Sequence, residues 1–110
     1  MWEINGLQIE CDIEDVETAE KVENALTNLS KAKVEKSTSL AETIKQECIL
    51  IKQVFIDIFG VETADNIFKD IKLNRRLYSD VLYSFYDFID LQKKSILERS
   101  NRLNKYIPKK

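Results

Sequence analysis

The chain contains no histidine. Acid–base chemistry near neutral pH would therefore fall to carboxylates, lysine or tyrosine. Its two glycines stand alone at Gly6 and Gly60, so no glycine-rich loop is available to cradle a phosphate, and no serine sits in a nucleophile-elbow context. Together these absences argue against an enzyme, and no cofactor is expected. Two glycines and one proline in 110 residues are too few turn-formers for an all-β sandwich. The two cysteines, Cys11 and Cys48, are far apart and in no CxxC spacing. A secreted disulfide scaffold is not expected, and both read as buried free thiols at apolar-patterned positions. Long apolar runs are missing too: Lys52, Gln53 and Asp57 interrupt the greasiest stretch, so no membrane span is expected. Residues 1–6 lack the basic start and apolar run of a secretory signal, which makes the cytoplasm the expected compartment.

What the chain does have is a lopsided charge. Residues 1–70 hold 15 acids against 7 bases, and residues 71–110 hold 4 acids against 10 bases. Opposite poles of this kind suit head-to-tail association with a second copy, or contact with two unlike partners. The length fits one domain over residues 1–110 with one modest core.

The opening residues read as a β-hairpin over 1–13. Asn5-Gly6 favours the two-residue turn that needs positive φ at both positions. That turn pairs Trp2 with Ile9, Glu3 with Gln8 and Ile4 with Leu7. Trp2, Ile4, Leu7, Ile9 and Cys11 then share one face, which reads as core rather than contact surface. A first helix is expected from Asp15 or just after it, with Val16, Ala19, Val22, Leu26 and Leu29 at helical spacing. Ser30 to Ser37 is polar and rich in lysine, and reads either as a loop or as helix running through. Ser39-Leu40-Ala41-Glu42 fits a capping box at the start of a second helix, which Gly60 ends. That helix has apolar residues on more sides than one small domain readily covers. A short third helix is expected over Glu62–Phe68, and a long fourth one after Asn74. The fourth carries the stripe Leu77, Val81, Leu82, Phe85, Phe88, Ile89 and Ile96. The expected fold is α+β, mostly α: a hairpin packed on a bundle of three to four helices, with the helical core over 15–98. Residues 99–110 form a basic tail whose ordering the sequence leaves open, and Pro108 and the terminal lysines are expected to fray.

Several features have both a functional and a plain reading. Glu10, Asp12, Glu14, Asp15 and Glu17 are five acids in eight residues, a supply of hard oxygen ligands. Their spacing is not that of an EF-hand loop and no glycine makes its sharp turn, so a helix cap among solvated acids fits better and no metal is expected. Lys93, Lys94, Arg99, Arg102, Lys105, Lys109 and Lys110 could neutralise phosphates, and Tyr106 could stack on a base. The acidic remainder would repel a polyanion. Docking on an acidic protein surface, such as residues 10–23 of a neighbouring copy, is the better fit. Tyr78, Tyr83 and Tyr86 fall partly outside the α-helical stripe, and tyrosine is enriched where proteins meet. Core or boundary packing is their plainer and favoured reading; where the chain has a contact surface, they are the candidate contact residues, with Glu14, Glu17, Glu20 and Arg99, Arg102, Lys105 as charged rims.

Ile4-Asn5-Gly6, the run Asp12-Ile13-Glu14-Asp15-Val16-Glu17-Thr18-Ala19-Glu20, and Phe55-Ile56-Asp57-Ile58-Phe59-Gly60 followed by Ile67-Phe68 resemble a set of small proteins of tailed bacteriophages and prophages of Gram-positive bacteria. The likeness covers most of the chain and extends to Asn104-Lys105-Tyr106. Those proteins commonly carry glycine where this chain has Lys69. The resemblance implies a tail assembly chaperone or related morphogenesis factor, one that coats the tape-measure protein before the tail tube forms. It implies no catalytic residues. Two other roles are compatible with the residues. One is a small phage-encoded inhibitor of a host defence enzyme that uses the acidic segment Glu10–Glu23. The other is a minor structural protein of the virion.

Overall fold

The computed structural model describes residues 1–34 and 39–107, and shows a two-stranded antiparallel hairpin followed by four helices. The hairpin consists of β1 (Trp2–Ile4) and β2 (Leu7–Ile9). Its register is Trp2 to Ile9, Glu3 to Gln8 and Ile4 to Leu7, as the turn and the alternation require. Asn5 (φ 49°) and Gly6 (φ 78°) both take the positive φ of the tight turn. Trp2, Ile9 and Cys11 are buried and Ile4 and Leu7 half-buried, whereas Glu3, Gln8 and Glu10 face outward.

α1 (Val16–Lys31) starts where Asp15 caps it, its carboxylate accepting from the Thr18 N–H at 3.2 Å. α1 ends at Lys31, because Ala32 turns extended. The continuous-helix alternative therefore fails at Ala32, while Glu35, Lys36 and Ser37 of that stretch lie outside the described residues. α2 (Leu40–Phe59) opens on Ser39, whose hydroxyl accepts from the Glu42 N–H at 3.2 Å. Gly60, at φ 91°, closes α2 and opens α3 (Val61–Phe68) directly. Lys69 sits in right-handed helical backbone, so this turn does not call for glycine. α4 (Arg75–Asn104) is capped by Asn74, which accepts from the Leu77 N–H at 3.1 Å.

The core is aromatic. Trp2 stacks on Phe55 at 5.5 Å between ring centroids and meets Phe85 edge-on at 5.1 Å. Phe55 in turn meets Phe68 edge-on at 5.6 Å. One side chain from the hairpin thus pins it to α2 and α4, and the Trp2 indole N–H donates to the Ser84 hydroxyl at 3.2 Å. This docking supplies what a lone hairpin lacks in water. Lys52 and Asp65, 2.7 Å apart, tie α2 to α3, and Arg75 and Glu47, 3.3 Å apart, tie α4 to α2. α2 buries Cys48, Ile51, Val54, Phe55 and Ile58, but leaves Ile49 exposed on another side. No helix among the described residues is long and apolar enough to cross a membrane.

The fourth helix departs from expectation in two ways. It continues six residues past the expected end of the helical core, so residues 99–104 are helix rather than tail. No glycine or proline interrupts residues 75–107, and leucine, lysine, arginine and glutamate are good helix formers. Leu82, Ile89, Ile96 and Leu103 recur every seven residues and keep one face apolar to the helix end. Pro108, Lys109 and Lys110 lie outside the described residues. Tyr78 is the second departure. It is 7% exposed and packs its ring on Phe68 at 4.4 Å, so it belongs to the core and not to a contact surface. It precedes Leu82 and Phe85 by four and seven residues, and that register turns it inward. Burial raises the pKa of its hydroxyl.

Candidate protein-binding site

Residues 10–15 leave the hairpin as a strap and cross α4 before α1 begins. Gln92 clamps the strap from both sides. Its amide N–H donates to the Cys11 carbonyl at 2.8 Å, and its amide oxygen accepts from the Ile13 N–H at 3.2 Å. Gln92 occupies the core-facing line of α4 between Ile89 and Ile96, so a polar residue in an apolar row finds both of its partners in backbone. The strap holds Cys11 inside, where burial pushes its thiol up to about 11 and Asp12 adds to the shift. Cys48 is buried as a second free thiol, its pKa also raised by burial.

Beside the clamp, α1 and α4 leave an open groove of about 240 Å³ between them. Ile13 of the strap lies at one end. Ala19, Val22 and Leu26 line the α1 wall, and Ile89 and Ile96 line the α4 wall. Its surface is mostly apolar, with Glu23 on the α1 rim and Lys93 on the α4 rim. Glu17 and Glu20 stand exposed on the same helix as Glu23.

The groove opens onto a stretch of α4 that the body does not cover. Thirty residues of helix run about 45 Å, and the molecule measures 61 × 31 × 20 Å. Every residue from Leu97 to Ile107 is exposed. Along the seven-residue row, Leu82 is 7% exposed and Ile89 2%, whereas Leu103 is 61% exposed. Ile96, half-buried, marks the transition. Leu97 and Tyr106 add apolar surface on other sides of this projecting segment, among Arg99, Arg102 and Lys105.

The residues singled out in the sequence are distributed unevenly over this site. Glu14 and Arg99 are brought together as an ion pair across the strap and α4, within one chain. Glu17 lies 3.8 Å from Lys21, one turn along α1. Arg102 and Lys105 stand exposed on the last turn of α4 and just past it. Tyr86 is half-buried and shares a helix side with Ile89 and Lys93, one turn short of the groove. Tyr83 is 59% exposed and, by helical register, points away from the core-facing row. The acids of the dense run have local tasks as well. Asp12 accepts from the Glu14 N–H at 3.0 Å, and Asp15 caps α1. Sequence reasoning missed Gln92, Ile13 and Leu103. The signal for the first was a lone amide in line with Phe85, Ile89 and Ile96; the signal for Leu103 was its seven-residue interval from Ile96.

Comparison with curated proteins and with solved structures gives no match. The family described as "Family of unknown function (DUF6673)" matches residues 5–110, a segment that takes in the hairpin turn, the strap, the groove and the projecting end of α4. The chain belongs to that family.

Proposed function

We propose that this protein works without bond-making chemistry, as a helix-capturing assembly factor. The observation that carries the reading is the apolar row of α4, which leaves the core at Ile96 and runs on, uncovered, beside an apolar groove. Apolar grooves between helices take amphipathic helices, whose anchors recur every three to four residues. Glu20 and Glu23 on the α1 side favour a helix with basic residues on the flank that meets them, because opposite charge steers encounter and fixes register. The tail assembly chaperone is the specific form of this reading, and the resemblance to phage proteins supports it. Its client would then be the tape-measure protein, a long helical chain that needs cover until the tube forms. Two free, buried thiols support a reducing compartment, the cytoplasm, as the place of work. The reading as an inhibitor acting through Glu10–Glu23 draws less support, since Asp12, Glu14 and Asp15 are engaged in local bonds.

The test uses a labelled synthetic helix with leucine at alternating three- and four-residue intervals and lysine on its flanks, followed by fluorescence anisotropy. We expect saturable binding, weakened about tenfold or more by Leu26→Glu, as truncation of a central anchor weakens other interfaces. An acidic-flanked version of the same peptide should bind less well. Equal affinity of the wild-type and Leu26→Glu proteins for the peptide, or no binding at all, would remove the reading. Co-expression with the tape-measure protein of the same genome tests the specific form: the client should stay in solution only with the intact groove.

A further inference from the structure

The projecting end of α4 has the chemistry favoured on the α1 side of the groove. It is an amphipathic helix whose row Ile96 and Leu103 is apolar and whose surroundings, Arg99, Arg102 and Lys105, are basic. It cannot fill its own groove. α4 is one unbroken helix, and Leu103 lies about 10 Å along its axis beyond Ile96, directed away from the body. We infer that the occupant is the projecting segment of a second copy, and that two chains exchange these ends reciprocally with their α4 helices antiparallel. The inference rests on the helix-capture reading of the groove and names the ligand present when no client is bound.

Three observations favour this occupant. The segment continues the row that lines the groove, so antiparallel packing sets Leu103 of each chain against the Ile89 end of its partner's row. The charges favour this occupant on the α1 side, where Arg102 and Lys105 at the tip would face Glu20 and Glu23 of the other copy, while Lys93 on the α4 rim works against it. Two such contacts related by a twofold axis close on themselves, so a dimer results and no open chain. Side-by-side parallel pairing would set one basic tip against the other. A client helix with basic flanks competes for the same groove, so client binding and dimerisation exclude one another.

Sedimentation velocity on the full chain over a range of concentrations tests this. The wild type should form dimers that dissociate on dilution and loosen with salt. Leu103→Asp, at an exposed position outside the core, should give monomer with an unchanged circular dichroism spectrum. The decisive arm is a charge exchange. A chain with Glu20→Lys and Glu23→Lys, and another with Arg102→Glu and Lys105→Glu, should each dimerise about tenfold or more weakly at low salt. Mixed together they should pair again, since each tip then meets an α1 side of opposite sign. A wild-type monomer at every concentration, failure of the mixture to pair, or an open series of larger species would overturn the inference. A monomer that still binds the basic-flanked peptide would overturn only the exchange and leave helix capture standing. Addition of that peptide to the wild-type dimer should release monomer, and a dimer that binds peptide without dissociating would refute a shared groove.

Discussion

The two halves of α4 obey the same side-chain rule and reach opposite fates. From Arg75 to Ile89 the helix buries five side chains: Tyr78, Val81, Leu82, Phe85 and Ile89. From Asp90 to Asn104 it buries none. Both halves nevertheless keep leucine or isoleucine at seven-residue intervals. An apolar row therefore does not by itself make a core. The first half meets α2 and the hairpin, and its row becomes stability. The second half runs past its neighbours, and its row becomes surface that another helix can cover. The boundary falls between Ile89, the last buried residue, and Ile96, and the strap crosses there at Gln92, whose amide meets the strap backbone.

Truncation in the first half breaks the comparison hardest. Phe85 is fully buried and faces Trp2, Phe55 and Phe59 with centroids at 5.1, 5.5 and 5.9 Å. Phe85→Ala should cost about 3–5 kcal/mol through lost burial and the cavity left behind. A domain of this size holds about 5–15 kcal/mol in all, so the urea midpoint should fall to a fraction of its wild-type value. Emission from Trp2, the single tryptophan and buried against that ring, should shift to longer wavelength at lower denaturant. A loss below about 1 kcal/mol would mean that the aromatic cluster is not the centre of the fold.

The junction comes next. Gln92→Ala leaves the Ile13 N–H and the Cys11 carbonyl without their side-chain partner. Each lost partner costs about 1–3 kcal/mol where water cannot enter, and less where it can. The groove end of the molecule is open, so a total of about 1–2 kcal/mol is expected. Hydrogen exchange should show the effect locally, with faster exchange at Ile13 and little change at the α2 amides. Uniform loss of protection would mean that strap and core unfold together, and the boundary drawn between Ile89 and Ile96 would be misplaced.

Much of the first half of this contrast could be read directly from the residues. The hairpin register was legible because a turn preference and an alternating pattern independently require the same pairing. The starts of α1, α2 and α4 were legible because Asp15, Ser39 and Asn74 bond backbone within three residues of themselves. The site was less legible. Ile13 sits inside an acid run, and its approach to Gln92 spans 79 residues of chain, so no local pattern encodes it. Basic residues around Ile96 and Leu103 masked a helix that continues to Asn104. For Tyr78 the enrichment of tyrosine where proteins meet points outward, whereas its intervals of four and seven residues from Leu82 and Phe85 point inward, and packing follows the intervals.

The smallest effect belongs to the most conspicuous charge contact. Glu14 and Arg99 join the acidic front of the chain to its basic end, and a reading from charge alone would make that link a mainstay of the fold. Arg99 is 69% exposed along its side chain, however, and water screens such pairs. Exposed ion pairs contribute about 0–1 kcal/mol. Arg99→Ala should therefore leave the urea midpoint almost unchanged, and added salt should hide what difference remains. Its influence should show instead in association. The pair holds Glu14 and Arg99 within one chain, and Arg99→Ala frees the strap carboxylate near the groove proposed to take a basic-flanked helix. Peptide affinity at low salt should rise slightly while stability stays put. A large loss of stability from Arg99→Ala would mean that the projecting half of α4 is anchored to the body after all, and that its apolar row is part of the fold.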